Sequence, residues 1–486
     1  MGPFGSQLKK TELVEKGIRV LWIENVVNDK FEYKEGKFIT EEKYEKLKGF
    51  AVAPGDLLIT MMGTIGKVAA VPNDIAKAIF SSHLLRIRVD NQLCNLEYIK
   101  YALLSENSKK QMTKESRGVV MKGLNTKIIK SLIIPLPPLS EQHRIILKIE
   151  ALFSFLDAGV ESLRKVQVQL KRYRQAVLKY AFEGKLTEEW RKTHKDHIEP
   201  AQKILEPIKQ DKKGISPEHD ADGLPPIVTL KLPKLPKEWT WVSLAGCCDV
   251  VSGYAFKSKD FIQSFEIPVI KIGNIGYSEF LWQDQEYLPQ SFLKDFSKYT
   301  VNPDAILMAL TRPITNDTLK VCVYPRSAES GLLNQRVAMI NIIRHLSKKV
   351  LFLYMQSLIF KMQVSDGMSQ TLQPNLSPFM LERFVVPLFS SLEQDKIVDE
   401  IESRLSVVDK ISEIVEQSFR QAVFLRQSIL RNAFSGKLVP QDPSDESAEN
   451  LLERIKAERA KSNGEKDTNK GKKNKPKQLE LPNCAK

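Results

Sequence analysis

The sequence predicts an α+β protein: two tandem units of mixed strands and short helices, each followed by a long helix with coiled-coil spacing, in an internal pseudo-twofold repeat. Three observations predict it. A fixed offset of 252 residues lays one half of the chain on the other. Short apolar runs bounded by Gly, Pro, Asn or Asp recur early in each half, as strands do. Each half then carries about 40 residues whose apolar side chains alternate three and four apart, the spacing of a long helix that pairs with another.

The repeat is clearest where Arg174-Gln-Ala-Val-Leu-Lys-Tyr-Ala-Phe-Glu-Gly-Lys-Leu186 falls on Arg426-Gln-Ser-Ile-Leu-Arg-Asn-Ala-Phe-Ser-Gly-Lys-Leu438. Without a gap, Pro135-Leu-Pro-Pro-Leu-Ser-Glu-Gln-His-Arg-Ile145 falls on Pro387-Leu-Phe-Ser-Ser-Leu-Glu-Gln-Asp-Lys-Ile397. Farther upstream Phe4 and Ser6 meet Phe256 and Ser258, Ile23 and Asn25 meet Ile272 and Asn274, Pro54 meets Pro303, and Gly118 meets Gly367. The offset there drifts between 249 and 252, as surface loops allow. Downstream, Ala201 to Lys209 resembles Ala448 to Lys456.

In chain order, residues 1–138 form the first unit, with strands at Ile18–Ile23 and Asp56–Thr60. Leu136-Pro-Pro-Leu139 ends it, and a helix over 139–187 starts at Ser140, whose hydroxyl can cap it. Its seam runs Ile145, Ile149, Leu152, Leu156, Gly159, Leu163, Val166, Leu170, Tyr173, Val177 and Tyr180, and Gly184 closes it. Residues 188–235 read as a linker with one short helix. The second unit, 236–390, has strands at Ile267–Ile272 and Ala305–Ala309. Its helix, 391–438, carries Ile397, Ile401, Val408, Ile411, Val415, Ala422, Leu425 and Ile429, and ends at Gly436. Arg404, Ser418 and Asn432 weaken this second seam, while Leu405 and Phe419 sit one residue off it. Residues 439–486 form a C-terminal segment with a solvated, disordered Lys-rich tail. At ~1.5 Å per residue each helix would span about 60 Å, a rod that holds two domains apart.

The net charge is +14, and Lys461–Lys477 holds seven Lys against Glu465 and Asp467, leaving +9 for the rest. That balance favours a polyanionic partner. Cys94, Cys247, Cys248, Cys322 and Cys484 make an odd set without C-x-x-C spacing, so neither a disulfide framework nor a zinc site is expected. No apolar run approaches about 18 residues, which makes the cytoplasm the default location, with no membrane partner. Gly2 with Ser6 fits a lipidation pattern, but Pro3 and the internal counterpart of this segment speak against it. The chain has no Asn-Pro-Pro-Tyr-like motif, glycine-rich nucleotide loop or Gly-x-x-x-x-Gly-Lys-Ser/Thr cradle, so no catalytic residue, cofactor or metal site is assigned. His194-x-x-His197 reads as a solvated pair rather than as ligands.

Paired units that each hold a Pro-Leu-(Pro-Pro)-Leu-(x)-Glu-Gln turn, a long helix and an Ala-Phe-x-Gly-Lys-Leu ending resemble the specificity subunits of type I restriction-modification systems. The resemblance covers roughly residues 2 to 460. It implies that each unit is a target-recognition domain reading one half of a bipartite, asymmetric double-stranded DNA site, and that the long helices are two antiparallel coiled-coil spacer helices that fix the gap. It further implies a non-catalytic chain, with two adenine-methylating modification subunits and two ATP-dependent translocase and nuclease restriction subunits as partners. S-adenosylmethionine, ATP and Mg2+ would belong to those partners. A fragment of a fused restriction enzyme, and a coiled-coil scaffold that never touches DNA, are the competing expectations. Leu235-Pro-Lys-Glu-Trp-Thr-Trp-Val-Ser-Leu244 is the usual start of such a domain, and its counterpart falls before Met1. The first unit is therefore expected to be about 17 residues short, including one strand.

Base readout needs side-chain donors and acceptors on loops that reach a groove. Two loops per unit fit. One follows the Pro-x-Asp strand, with Gly63, Thr64 and Lys67 in the first unit and Thr311, Arg312, Thr315, Asn316 and Lys320 in the second. The other precedes the spacer helix, with Ser116, Arg117, Lys122, Asn125 and Thr126, and its counterpart Ser369, Gln370, Thr371, Gln373 and Asn375. Asn334, Gln335 and Arg336 are a third candidate group.

Overall fold

The structure is a computed structural model describing residues 2–3, 7–90, 92–116, 124–201, 203–204, 232–343, 345–458 and 460. The chain divides into two compact units, residues 1–163 with 416–486, and residues 164–415. Each unit thus takes its strands from one half of the sequence and turns of long helix from both halves.

In the first unit the strand Ile18–Leu21 pairs antiparallel with Lys37–Ile39 and parallel with Ala78–Phe80. A second sheet sets Leu57–Thr60 antiparallel between Val68–Ala70 and Leu84–Ile87. The other unit repeats both arrangements. Ile267–Ile270 lies between Glu286–Leu288 and Gly331–Leu333, with Thr300–Val301 beyond, and Ile306–Ala309 lies between Val321–Val323 and Val337–Ile342. The apolar runs at 57–60 and 306–309 lack polar alternation because both faces of these strands are covered. Side chains alternate across a strand, so Ile306 and Met308 enter the core against the helices while Leu307 and Ala309 enter the core between the sheets.

Residues 164–415 hold two further pairings. Cys248–Ser252 lines the outer side of Val337–Ile342, and Thr240–Ser243 pairs antiparallel with Val385–Leu388. Neither pairing has a counterpart among the described residues of the other unit. Ile133, the counterpart of Val385, is exposed. Gly2 keeps its place nonetheless: a Cβ there would lie 2.1 Å from the Ser81 carbonyl oxygen, as one on Gly253 would lie 2.2 Å from that of Asn334. Gly2 is therefore required for close backbone approach and is buried in the sheet.

The long helices run Leu139–Phe182 and Ser391–Ala433. Ser140 was expected to cap the first, but it sits inside the first turn and its hydroxyl donates to Asp445, 2.5 Å away. The Glu-Gln motif explains itself in hydrogen bonds. Gln142 accepts from the Asn95 amide (2.8 Å) and donates to the Pro137 carbonyl (2.8 Å). Gln394 accepts from the Ser347 amide (2.6 Å) and donates to the Phe389 carbonyl (2.9 Å). Each buried amide ties the start of a long helix to the strand-bearing part of its own unit. Gln394→Ala should cost about 1–3 kcal/mol, because it strands buried backbone groups; urea denaturation of the full chain reads this directly, and an unchanged midpoint would contradict it.

Opposite ends of the two helices meet, so they pack antiparallel within each unit. Ile145, Ile149 and Phe153 join Leu430 and Ala433 in the first. Val177, Leu178 and Ala181 join Ile397, Ile401, Leu405 and Val408 in the second. Arg426 pairs with Asp157 at 2.5 Å, and its repeat counterpart Arg174 pairs with Asp409. These pairs are half-exposed, so neutralising Arg174 should shift stability by less than about 1 kcal/mol; a larger shift in thermal denaturation would contradict that.

Of the expected seam, Ile149, Val177, Ile401, Val408 and Val415 are buried, and Leu156, Leu163, Leu170 and Ile429 are half-buried. Leu425 is not in it: it is 51% exposed, as is its counterpart Tyr173 at 48%, while Leu405 and Leu430 take the buried positions. An α-helix has 3.6 residues per turn, so a strict heptad drifts ~20° per repeat from the packed face. Gly184 and Gly436 close the helices with φ of +71° and +70°, the left-handed cap that glycine favours.

The stretch expected as a linker from residue 188 is packed at its start. Glu188–Thr193 forms a helix whose Arg191 is buried, and Thr187, Ile198, Ala201 and Ile204 are buried with it. The reason is Glu393, fully buried at the start of the second long helix. Its carboxylate accepts from Arg191 (2.7 and 2.9 Å), Thr187 (2.6 Å) and the Trp239 indole (2.8 Å). Trp239 in turn stacks on Phe389 at 3.9 Å. The helix at 448–458 holds Leu451 buried in the first unit; the expected Lys-rich tail, 461–486, lies outside the described residues.

Candidate nucleic-acid interface

In the unit formed by residues 164–415, three of the expected loops are brought side by side. The Leu310 amide donates to the Arg336 carbonyl (2.9 Å), and the Leu376 amide to the Leu310 carbonyl (2.8 Å). Thr311 bridges Asn375, and the Arg312 amide donates to the Pro374 carbonyl at 2.7 Å. Residues 334–336, 311–320 and 369–375 therefore form one continuous rim at the end of the sheet.

Local chemistry shapes each loop. Ile314–Thr315 and Thr318–Leu319 make a short ribbon, turned by Asn316 and Asp317 with φ of 51° and 60°. Two successive positive φ values define the tight turn that matches strand twist, and Asn and Asp tolerate it. Arg312 also takes a positive φ, 46°, which swings it out of the strand line. Asp317 is paired with Lys361 at 2.8 Å, and this ammonium holds its carboxyl below the usual range. The loop 369–375 is closed at its base, where the Ser369 amide donates to Asn375 O (3.0 Å) and the Asn375 amide to Ser369 Oγ (2.9 Å). Thr371 Oγ1 and Asn375 Nδ2 both donate to the Gln373 carbonyl, at 2.7 and 3.1 Å. Ser369, Thr371 and Asn375 thus brace the loop. Arg312, Asn316, Gln335, Arg336, Gln370 and Gln373 are exposed along the rim, and Lys320 is half-buried at the end of the ribbon.

The first unit repeats the frame. The Leu124 amide donates to the Met61 carbonyl at 3.1 Å, as Leu376 does to Leu310. Thr64 is exposed and its carbonyl accepts from the Thr60 hydroxyl; Lys67 is half-buried, with its amide donating to Thr60 Oγ1 at 3.1 Å. Asn125 was expected to contact bases, but its side-chain oxygen accepts from the Ile128 amide (2.9 Å) and caps the helix Thr126–Ser131. An Asn one residue before a helix satisfies an otherwise orphaned amide. Arg117 and Lys122 lie outside the described residues, and Ser116 ends the helix Glu106–Ser116.

Burial pushes the Cys94 thiol up to about 11 and Cys322 up to about 12, with Cys248 raised further, so these cysteines are packing groups. Among the described residues no three His, Cys, Asp or Glu side chains converge as ligands for a metal. His194 stacks on Trp190 at 4.5 Å. Among the described residues no helix is long and apolar enough to cross a membrane.

Residues 5–169 and again 236–418 match the family described as Type I restriction modification DNA specificity domain. The type I restriction enzyme EcoAI specificity subunit of Escherichia coli is 27% identical over 342 residues, covering 61% of this chain and 57% of that protein. The EcoDI specificity subunit of the same organism is 27% identical over 404 residues, covering 80% of this chain and 83% of its own. A solved chain, from work on complex assembly and conformational transition of the type I R-M system, superposes with a TM-score of 0.53 at 20% identity. It covers 80% of this chain and 83% of that one, a likeness of fold.

Proposed function

The chain belongs to the type I restriction modification DNA specificity family, whose domain it carries twice, and from that premise we propose that it is the sequence-reading subunit of a restriction-modification complex. Each unit reads one half of a bipartite, asymmetric site in double-stranded DNA. The chain itself performs no chemistry; adenine methylation and ATP-dependent cleavage belong to partner subunits, along with S-adenosylmethionine, ATP and Mg2+. The observation that carries the reading is the continuous rim of Arg312, Gln335, Arg336, Gln370 and Gln373, side chains suited to base edges and phosphates, on backbone that is fixed by hydrogen bonds.

Repeat-equivalent apolar side chains stand exposed on the long helices: Phe155 and Val407, and Tyr173 and Leu425. Apolar groups placed alike in both repeats suit a partner that docks once per repeat, which supports two copies of the modification subunit. Two copies of the restriction subunit complete the assembly. Mapping methylated adenines in host DNA tests the role. The expected motif has two defined parts with a gap of fixed length; a continuous palindrome would contradict it.

A further inference from the structure

At the midpoint of the loop 369–375 stands Leu372, whose exposure is 100%. An apolar side chain gains nothing from water, and this one is held out by design of the backbone around it. The loop is pinned at its base by the two Ser369–Asn375 hydrogen bonds, and Thr371 Oγ1 reaches across Leu372 to the Gln373 carbonyl at 2.7 Å. The Arg312 amide ties the same loop to the neighbouring ribbon through the Pro374 carbonyl at 2.7 Å. Leu372 is therefore a rigid apolar tip between two amide side chains, Gln370 and Gln373, with the Arg312 loop beside it. In the sequence of the first half, Val119, Val120 and Met121 stand between Gly118 and Leu124, the counterparts of Gly367 and Leu376, and lie outside the described residues.

We propose that Leu372 is a wedge that enters a base-pair step of the half-site read by its unit and partly unstacks it. This rests on the sequence-reading role proposed above. Leucine is among the side chains suited to such insertion: it fills the opened step, removes its own surface from water, and offers no hydrogen bonds that the bases must satisfy. Pre-ordering of the loop matters, since a mobile tip would lose entropy on insertion. Sequence preference then arises at a step the protein does not read by hydrogen bonds, with pyrimidine–purine steps favoured because they unstack most readily.

The test uses the assembled modification complex and duplexes carrying its mapped site, with 2-aminopurine placed at each position of one half-site in turn. Apart from the target adenine, which the modification subunits take out of the stack themselves, the parent complex should raise fluorescence at a single step. Leu372→Ala should abolish that rise and weaken site binding by roughly tenfold or more, with an unchanged salt dependence because no phosphate contact is lost. Leu372→Met should retain the rise. Site-specific binding without a fluorescence change at any step other than the target adenine, or a rise at such a step that survives Leu372→Ala, would overturn the wedge alone. Failure of the parent complex to prefer its site would overturn the reading role and the wedge together.

Discussion

Glu393→Ala is expected to lower the stability of the unit formed by residues 164–415 by about 3–5 kcal/mol. The carboxylate is fully buried, and Arg191, Thr187 and Trp239 all donate to it. Removing it leaves a buried guanidinium without a counter-charge and an indole N–H without an acceptor, and each is costly away from water. For a domain of this size the loss corresponds to a fall in Tm of roughly 6–20 °C. Calorimetry on the full chain reads it. The double variant Arg191→Met with Glu393→Leu should melt closer to the parent than Glu393→Ala does, because the unpaired charge is gone. If Glu393→Ala melts within a degree or two of the parent, the network does not hold the unit.

Arg312→Ala should degrade recognition of one half-site only. A guanidinium reading a guanine edge by two hydrogen bonds contributes ~1–3 kcal/mol of discrimination, about 5- to 150-fold. In competition binding with the assembled complex, the variant should accept substitutions at one base pair of that half-site while the other half stays fully specified. The salt dependence of binding separates base from phosphate contact: a base contact leaves the slope unchanged, whereas losing a phosphate contact weakens all sequences alike and lowers the slope by ~0.9. A uniform loss would return Arg312 to the phosphate backbone, and no loss would remove it from the interface.

Much of the fold was legible because the chain states it twice. The strands at 18–21, 57–60, 267–270 and 306–309 and both long helices lie where short apolar runs and helical spacing put them. What escaped depended on partners distant in sequence. Arg191 reads as a solvated helix residue until Glu393, 202 residues away, is folded over it. Leu425 fits a heptad, yet the real helix turns away from that period and leaves it outside. Asn125 reads as a base-contacting side chain because a cap and a groove contact call for the same residue type; only the Ile128 amide decides between them. The rim at 311–320, 334–336 and 369–375 was found piecewise, since sequence supplies loop chemistry but not which loops are neighbours. Leu372 is not legible in the sequence, because a leucine reads as a packing residue until the structure shows it wholly exposed.

The central claim is that each unit reads its own half of the DNA site. Exchanging residues 236–390 for the same span of a relative with a different known target, then mapping methylated adenines, tests it most directly. One half of the bipartite motif should change to that of the donor while the other half is retained. A motif that stays wholly unchanged in a complex that still methylates, or one altered in both halves, would contradict it.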